Sequence, residues 1–274
     1  MKKLVLLAFL LCAATTWTMS ASLYNQSVAE ILRKQFTSPS VSYLLMDVPT
    51  ARLLVARWQD PDRPVPIGSL VKPFTALAYA QSHGYVYPEL TCHGSADGCW
   101  LARGHGRMGI SEAVGYSCNV YFRKLAELVS PDDLQQVALG YGLKPRLTSF
   151  SPQALVGLGA NLELSPAEIT KAYIELASRG GEPGVAELLS GMALSARAGT
   201  AGAIQTSLPG ASALAKTGTA PCVHSPRAPG DGYTIILYPA GAPRWALLVR
   251  VHGVPGARAA KVGGEMLRTL VTGR

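Results

Sequence analysis

Hydrophobic patterning divides the chain into an outer pair of strand-like stretches and a helical middle. Val41 to Asp47 and Leu53 to Trp58 are runs of branched and aromatic residues with Pro49-Thr50 at the turn between them, which predicts a β-hairpin. Before it, Ser27-Val28-Ala29-Glu30 reads as a capping box that opens a short amphipathic helix to about Phe36. From Gly68-Ser69 the pattern turns helical and stops at His83-Gly84, with glycine in the usual terminating position. A second helix is expected from near Ser111, carrying Tyr121, Phe122, Leu125 and Leu128. A third is capped by Ser130-Pro131-Asp132-Asp133 and stops at Gly140. Ser165-Pro166-Ala167-Glu168 opens another that ends at Gly180-Gly181, and Ala186 to Arg197 forms one more. Strand patterning returns over Leu214 to Ala220, Tyr233 to Tyr238 and Trp245 to His252, and Ala257 to Leu270 closes the chain as an amphipathic helix. Strands at both ends with helices between them predict an α+β fold. It would be one antiparallel sheet formed from both termini, flanked by helices, with a helical lobe inserted and a site in the cleft between the lobes.

Composition supports one enzyme-sized unit. The 274 residues are 48% hydrophobic and 15% charged, enough to bury a full core. Lys2 and Lys3, the apolar run Leu4 to Ala14 and the small residues around Met19-Ser20-Ala21 have the layout of a secretory leader. The expected organisation is therefore a signal peptide over residues 1–21 and a catalytic domain over 22–274. The apolar run is too short to cross a bilayer comfortably, so no stable membrane span is expected. The expected location is periplasmic or extracellular, with membrane association as the outcome if the leader stays uncleaved. The formal charge is +8, of which Lys2 and Lys3 supply two. A basic surface suits an acidic polymer such as cell-wall glycan with its peptide carboxylates, or simply solubility. No basic run with interleaved aromatics points to nucleic acid.

Export makes disulfides permissible for the four cysteines beyond the leader. Cys92 and Cys99 enclose a short Gly-rich loop, and a local bridge is its expected use. The alternative is a metal site drawing on Cys92, Cys99, Asp97, His93 or His105, whose spacing is not a standard zinc pattern. Cys118 and Cys222 are expected to be free thiols used for packing. No metal and no cofactor is assigned.

Three short strings carry the candidate chemistry: Ser69-Leu70-Val71-Lys72, Ser117-Cys118-Asn119 and Lys216-Thr217-Gly218-Thr219. Residues three apart on a helix share a face, so Lys72 Nζ is expected to reach back to Ser69 Oγ as a base for a nucleophile. Burial and a second cation would lower the lysine's proton affinity. Ser117 is placed to pass a proton between Lys72 and a leaving group, and Asn119 to bond both Lys72 and a substrate carbonyl. Cys118 is expected to point away into the helical lobe. In the third string, Gly218 allows substrate backbone to approach the strand edge. Lys216, Thr217 and Thr219 offer a cation and two hydroxyls for a terminal carboxylate. The N–H groups of Ser69 and Thr219 form the expected oxyanion hole.

The ordered trio resembles the signature of penicillin-binding proteins and serine β-lactamases. Pro66-Ile67-Gly68-Ser69 through Leu77 is similar to the nucleophile segment of class B penicillin-binding transpeptidases. His105-Gly106 through Phe122, Gly157-Leu158-Gly159-Ala160 with Leu164-Ser165-Pro166, and Gly199-Thr200-Ala201 resemble further markers of that family. The resemblance implies the β-lactamase/transpeptidase-like fold, Lys216 as the second cation beside Lys72, and acylation of Ser69 by penicillin. It implies a D-Ala-D-Ala transpeptidase or carboxypeptidase acting on peptidoglycan stem peptides, with β-lactams as inhibitors or substrates. The alternatives are a β-lactamase or esterase of the same fold, and a non-turnover β-lactam or muropeptide sensor. The chain departs from class A β-lactamases in lacking a Glu-x-x-Leu-Asn string between Ser117 and Lys216, and Glu168 is expected to serve as a helix cap. It departs from full class B enzymes too: only residues 22–40 lie between the leader and the first strand, and no pedestal domain is expected there.

Overall fold

The structure, a computed structural model, describes residues 26–222 and 229–273; the leader expectation for residues 1–21 lies outside them. Helix α1 (residues 26–35) precedes the hairpin of β1 (Val41–Asp47) and β2 (Arg52–Arg57), whose register shifts between Leu45 and Met46. After the short β3 (Val65–Pro66), a 3-10 turn over Gly68–Val71 runs into α2 (Lys72–Ser82). The ribbon of β4 (Leu90–Cys92) and β5 (Gly106–Met108) leads to α3 (Ile110–Gly115), α4 (Asn119–Ala126) and α5 (Pro131–Gly140). Strands β6 (Arg146–Leu147) and β7 (Leu162–Leu164) bracket α6 (Pro152–Leu155). Helices α7 (Pro166–Ser178), α8 (Val185–Arg197) and α9 (Ala203–Ser207) complete the lobe. The chain then returns to the main sheet as β8 (Leu214–Ala220), β9 (Asp231–Tyr238) and β10 (Trp245–His252), closed by α10 (Gly256–Thr272).

The main sheet has the order β2-β1-β10-β9-β8, antiparallel throughout, so both ends of the sequence do share one sheet. Its inner strands are apolar on both faces because both are covered. Tyr43 and Leu45 of β1 and Leu247 and Val249 of β10 pack with Val28, Leu32, Met266 and Leu270 of α1 and α10. Leu44, Met46, Ala246 and Leu248 face the other way, into the core shared with α2, α4 and α7. That alternation explains why β1 reads as a near-continuous hydrophobic run rather than a period-two pattern.

The predicted strands at Val41–Asp47, Leu214–Ala220 and Trp245–His252 occur with those bounds. The capping boxes of α5 and α7 are present: Ser165 Oγ accepts from Glu168 N (3.1 Å) and Glu168 Oε2 from Ser165 N (3.1 Å), so Glu168 is a cap as expected. Two expectations fail: Ser27 does not cap α1, which is already helical at residue 26, and the second helix is not continuous. The single helix from Ser111 through Leu128 is two helices, α3 and α4, broken at Ser117, and Leu128 is exposed. Periodicity could not see the break, because both segments bury their apolar faces in the same core.

Candidate active site

The first string straddles a junction. Ser69 lies in the 3-10 turn and Lys72 begins α2, with Pro73 fixing the helix start. Gly68 has φ +60°, and a Cβ there would lie 2.4 Å from Thr219 O and 2.8 Å from Thr219 N. Only glycine allows this left-handed backbone to rest directly on β8, which brings the first string against the third. From the other side, Tyr173 Oη donates to Leu70 O at 2.7 Å and holds the turn from α7.

The second string forms the break between α3 and α4. Ser117 has φ +53°, a left-handed conformation uncommon for a residue with a Cβ, and is 6% exposed. Strain of this kind persists where surrounding contacts fix it. Backbone bonds from Ser117 N to Val114 O (3.2 Å) and Cys118 N to Ala113 O (3.0 Å) close the turn, and side chains hold its carbonyl and hydroxyl. Lys72 Nζ donates to Ser117 O at 3.0 Å, and Lys216 Nζ donates to Ser117 Oγ at 2.8 Å. Trp100 Nε1 also reaches Ser117 O at 3.2 Å and Tyr116 O at 3.3 Å.

Both lysines are fully buried. Lys72 Nζ contacts Asn119 Oδ1 at 2.6 Å and lies 3.4 Å from Ser117 Oγ; Lys216 Nζ also donates to Thr217 O at 2.8 Å. Burial lowers the Lys72 pKa to about 7. The same burial, with the Lys72 charge next to it, lowers Lys216 well below its ordinary value. A neutral Lys72 that spends its two hydrogens on Ser117 O and Asn119 Oδ1 keeps a lone pair for a further proton. The expected Lys72–Ser69 hydrogen bond is absent among the described residues, because α2 starts at Lys72 and its Nζ turns to the second string. Ser69 itself is partly exposed at the cleft.

The third string is placed by ladder register. On β8, Lys216 opposes Ile235, Thr217 opposes Thr234 and Gly218 opposes Tyr233 of β9. A Cβ on Gly218 would lie 2.6 Å from Ile67 O, so this glycine serves a backbone approach to the nucleophile segment as well as to any ligand. Thr217 Oγ1 pairs with Thr200 Oγ1 at 2.7 Å, and Thr219 Oγ1 accepts from Gly256 N, the start of α10, at 3.0 Å. Lys216 is not aimed outward at a carboxylate. It stands behind Ser117; on this strand Thr219 is exposed, while Thr217 is 5% exposed and donates to Thr200.

Comparison with known proteins decides the family. Residues 62–272 match the model of the penicillin binding protein transpeptidase domain. The chain belongs to this family. No curated protein matches it significantly. Among solved structures it is similar to the transpeptidase domain of Burkholderia pseudomallei penicillin-binding protein 3, at 18% identity and TM-score 0.69, covering 91% of this chain and 92% of that one. It is likewise similar to Pseudomonas aeruginosa PBP2 in complex with WCK 5153, at 17% identity and TM-score 0.69, covering 89% and 73%. A third is penicillin-binding protein A from M. tuberculosis as a ceftriaxone acyl-enzyme, at 17% identity and TM-score 0.67, covering 90% and 77%. The fold of this transpeptidase domain is thus the one its sequence resembles. Domains of the family bind β-lactams and peptidoglycan substrates and work outside the cytoplasm. No helix among the described residues is long and apolar enough to cross a membrane.

Two contributors to the transpeptidase cleft escape sequence reasoning as site residues. Thr200 orients the Thr217 hydroxyl, and its one signal is the Gly199-Thr200-Ala201 marker. Trp100, 55% exposed at the cleft edge, holds the Ser117 carbonyl and has no sequence signal. With Arg103, His105, Tyr116 and Gly199 these two line a cavity of about 640 Å³.

The cysteines correct a further expectation. Cys92 and Cys99 are free thiols rather than a bridge; Cys118 is buried in the helical lobe as expected, and there it faces them. His105 Nδ1 lies 3.6 Å from Cys92 Sγ and 3.5 Å from Cys99 Sγ, and Cys99 Sγ is 4.0 Å from Cys118 Sγ. Bond lengths of about 2.3 Å to sulfur and 2.0–2.1 Å to nitrogen in a tetrahedron give separations near 3.6 and 3.8 Å, so these four residues fit zinc. His93 and Asp97, named with them in sequence, instead bond each other at 3.0 Å. Burial, aided by the Lys72 and Arg103 charges, lowers the His105 pKa, which favours the neutral ring.

Proposed function

We propose that this domain is an exported, penicillin-binding serine D,D-transpeptidase or D,D-carboxypeptidase that works through a Ser69 acyl-enzyme. The observation that carries this reading is the buried hub at Ser117 Oγ, with Lys216 Nζ at 2.8 Å on one side and Lys72 Nζ at 3.4 Å on the other. Lys72 takes the Ser69 proton as Oγ attacks the penultimate D-alanine carbonyl of a stem peptide. The tetrahedral oxyanion forms between the N–H groups of Ser69 and Thr219, whose backbones Gly68 brings together. The Ser117 hydroxyl, held by Lys216 Nζ, gives its hydrogen to the leaving nitrogen and takes back from Lys72 the proton removed from Ser69, so D-alanine leaves with a neutral amine. Asn119 and the edge of β8 at Gly218 hold the peptide, and the hydroxyls of Thr217 and Thr219 take its terminal carboxylate. The acyl group then passes to an amine or to water. β-Lactams follow the same first half and open their ring on Ser69.

A β-lactamase reading of the same site is less well supported. Among the described residues no carboxylate bonds Lys72, Ser117 or Lys216, and Glu168 is committed to its cap. Steady-state nitrocefin hydrolysis separates the two. A single stoichiometric burst followed by slow turnover is expected, and sustained fast turnover contradicts the transpeptidase reading.

A further inference from the structure

We propose a second, separate metal site at the end of the main sheet, where Cys222, Asp231 and His252 converge, with zinc as the cation class that suits it. The three residues come from neighbouring strands. Asp231 begins β9 and pairs in register with both Ala220, the end of β8, and His252, the end of β10; Cys222 follows Ala220 by two residues. Their ligand atoms all lie within 4.8 Å of one another. His252 Nδ1 is 3.1 Å from Cys222 Sγ and 2.8 Å from Asp231 Oδ1.

A single ring nitrogen carries either one proton or one lone pair. It cannot accept a hydrogen from the thiol and give one to the carboxylate at the same time. A cation between the three atoms accepts a lone pair from each. The surroundings prepare such a centre. Asp231 is 2% exposed. Its other oxygen, Oδ2, faces the Arg250 guanidinium, with Nε at 3.9 Å; that guanidinium lies 4.5 Å over the Trp58 ring and donates to Ser42 Oγ at 2.9 Å. Arg250 faces Oδ2, and Oδ1 faces the imidazole. One sulfur, one imidazole nitrogen and one carboxylate oxygen are a zinc donor set, whereas calcium and magnesium prefer oxygen alone. On binding, the Cys222 thiol releases its proton to solvent and ligates as thiolate. Zinc bond lengths would open the sulfur–nitrogen separation to about 3.6 Å and leave a fourth position for water. The site clamps the chain just beyond Thr219. It uses no residue of the acyl-transfer hub, and the proposal stands or falls apart from the Ser69 reading.

The test uses the full chain, stripped with chelator and refilled with zinc chloride. Crystals measured on both sides of the zinc absorption edge are expected to show an anomalous peak bonded to Cys222 Sγ, Asp231 Oδ1 and His252 Nδ1. In solution, Cys222→Ser and His252→Gln are each expected to lose one zinc equivalent relative to the parent, while Cys118→Ser, aimed at the other cluster, leaves that equivalent in place. Absence of the peak at saturating zinc overturns the proposal. So do folded Cys222→Ser and His252→Gln proteins that keep the parent's zinc content. If both variants fail to fold, the anomalous map alone decides.

Discussion

The two walls of the cleft hold their functional groups by different means. On the sheet side, Lys216, Thr217 and Gly218 occupy successive positions of a paired strand, and their directions follow from the pleat and the register with β9. On the helical side, Ser117 occupies a break between two helices in a left-handed conformation, and its position depends on Lys72, Lys216 and Trp100. One wall is set by a strand ladder; the other is a short backbone-bonded turn whose carbonyl and hydroxyl are held by side chains that themselves belong to the site. Damage to the second wall should therefore spread, while damage to the first stays local.

The sharpest break is Gly68→Ala. Its Cβ meets the Thr219 backbone, so the two walls must part. A stability loss of about 2–3 kcal/mol is expected with near-complete loss of acylation, measured by chemical denaturation and fluorescent-penicillin labelling. Next, Ser117→Ala should slow acylation by roughly 10²–10⁴-fold, because both lysines lose their shared acceptor. Ser117→Gly should slow it similarly while relieving the left-handed backbone, so it should melt higher than Ser117→Ala. Equal melting temperatures would mean that Ser117 carries no strain.

The pH profile follows from Lys72. Its pKa falls to about 7 in the fold, and the reactive form is the neutral amine. Second-order acylation by benzylpenicillin should fall about tenfold per pH unit below pH 7 and level off above it. A flat profile from pH 5 to 8 would remove Lys72 as the base. Because this folded pKa lies below the unfolded one, the unfolded chain binds more protons between about 7 and 10.5. The Lys72 contribution to stability should accordingly rise with pH across that window.

The smaller effects test whether the sheet wall is local. Thr217→Val removes one hydroxyl aimed at the carboxylate and should cost about tenfold in acylation by a carboxylate-bearing donor. A donor lacking the carboxylate should show almost no change. Trp100→Phe keeps the ring but drops the Nε1 donor, and a few-fold loss is expected for both donors alike.

The sheet wall was the more legible one in the sequence. The β8 string lies on a strand whose bounds follow from its own alternation, and the glycines at 68 and 218 signal close approach. The helical wall was less so. Ser117 reads as part of a continuing helix because the apolar faces of α3 and α4 point into one core. Its neighbours Trp100 and Thr200 arrive through loops that carry no periodicity. The cysteines at 92, 99 and 118 also misled: a seven-residue spacing favours a local bridge, whereas the fold brings in His105 and a residue from the second string. Distances of that kind are set by tertiary packing, which local pattern does not encode.

Ser69, served by Lys72 and Ser117, is expected to form a long-lived acyl-enzyme. Intact-protein mass spectrometry after benzylpenicillin, followed over time, tests it most directly. One added benzylpenicillin mass per chain is expected, located on the Ser69 peptide, decaying slowly and absent in Ser69→Ala. Labelling that persists in Ser69→Ala, or a folded protein that never gains the mass, would contradict it.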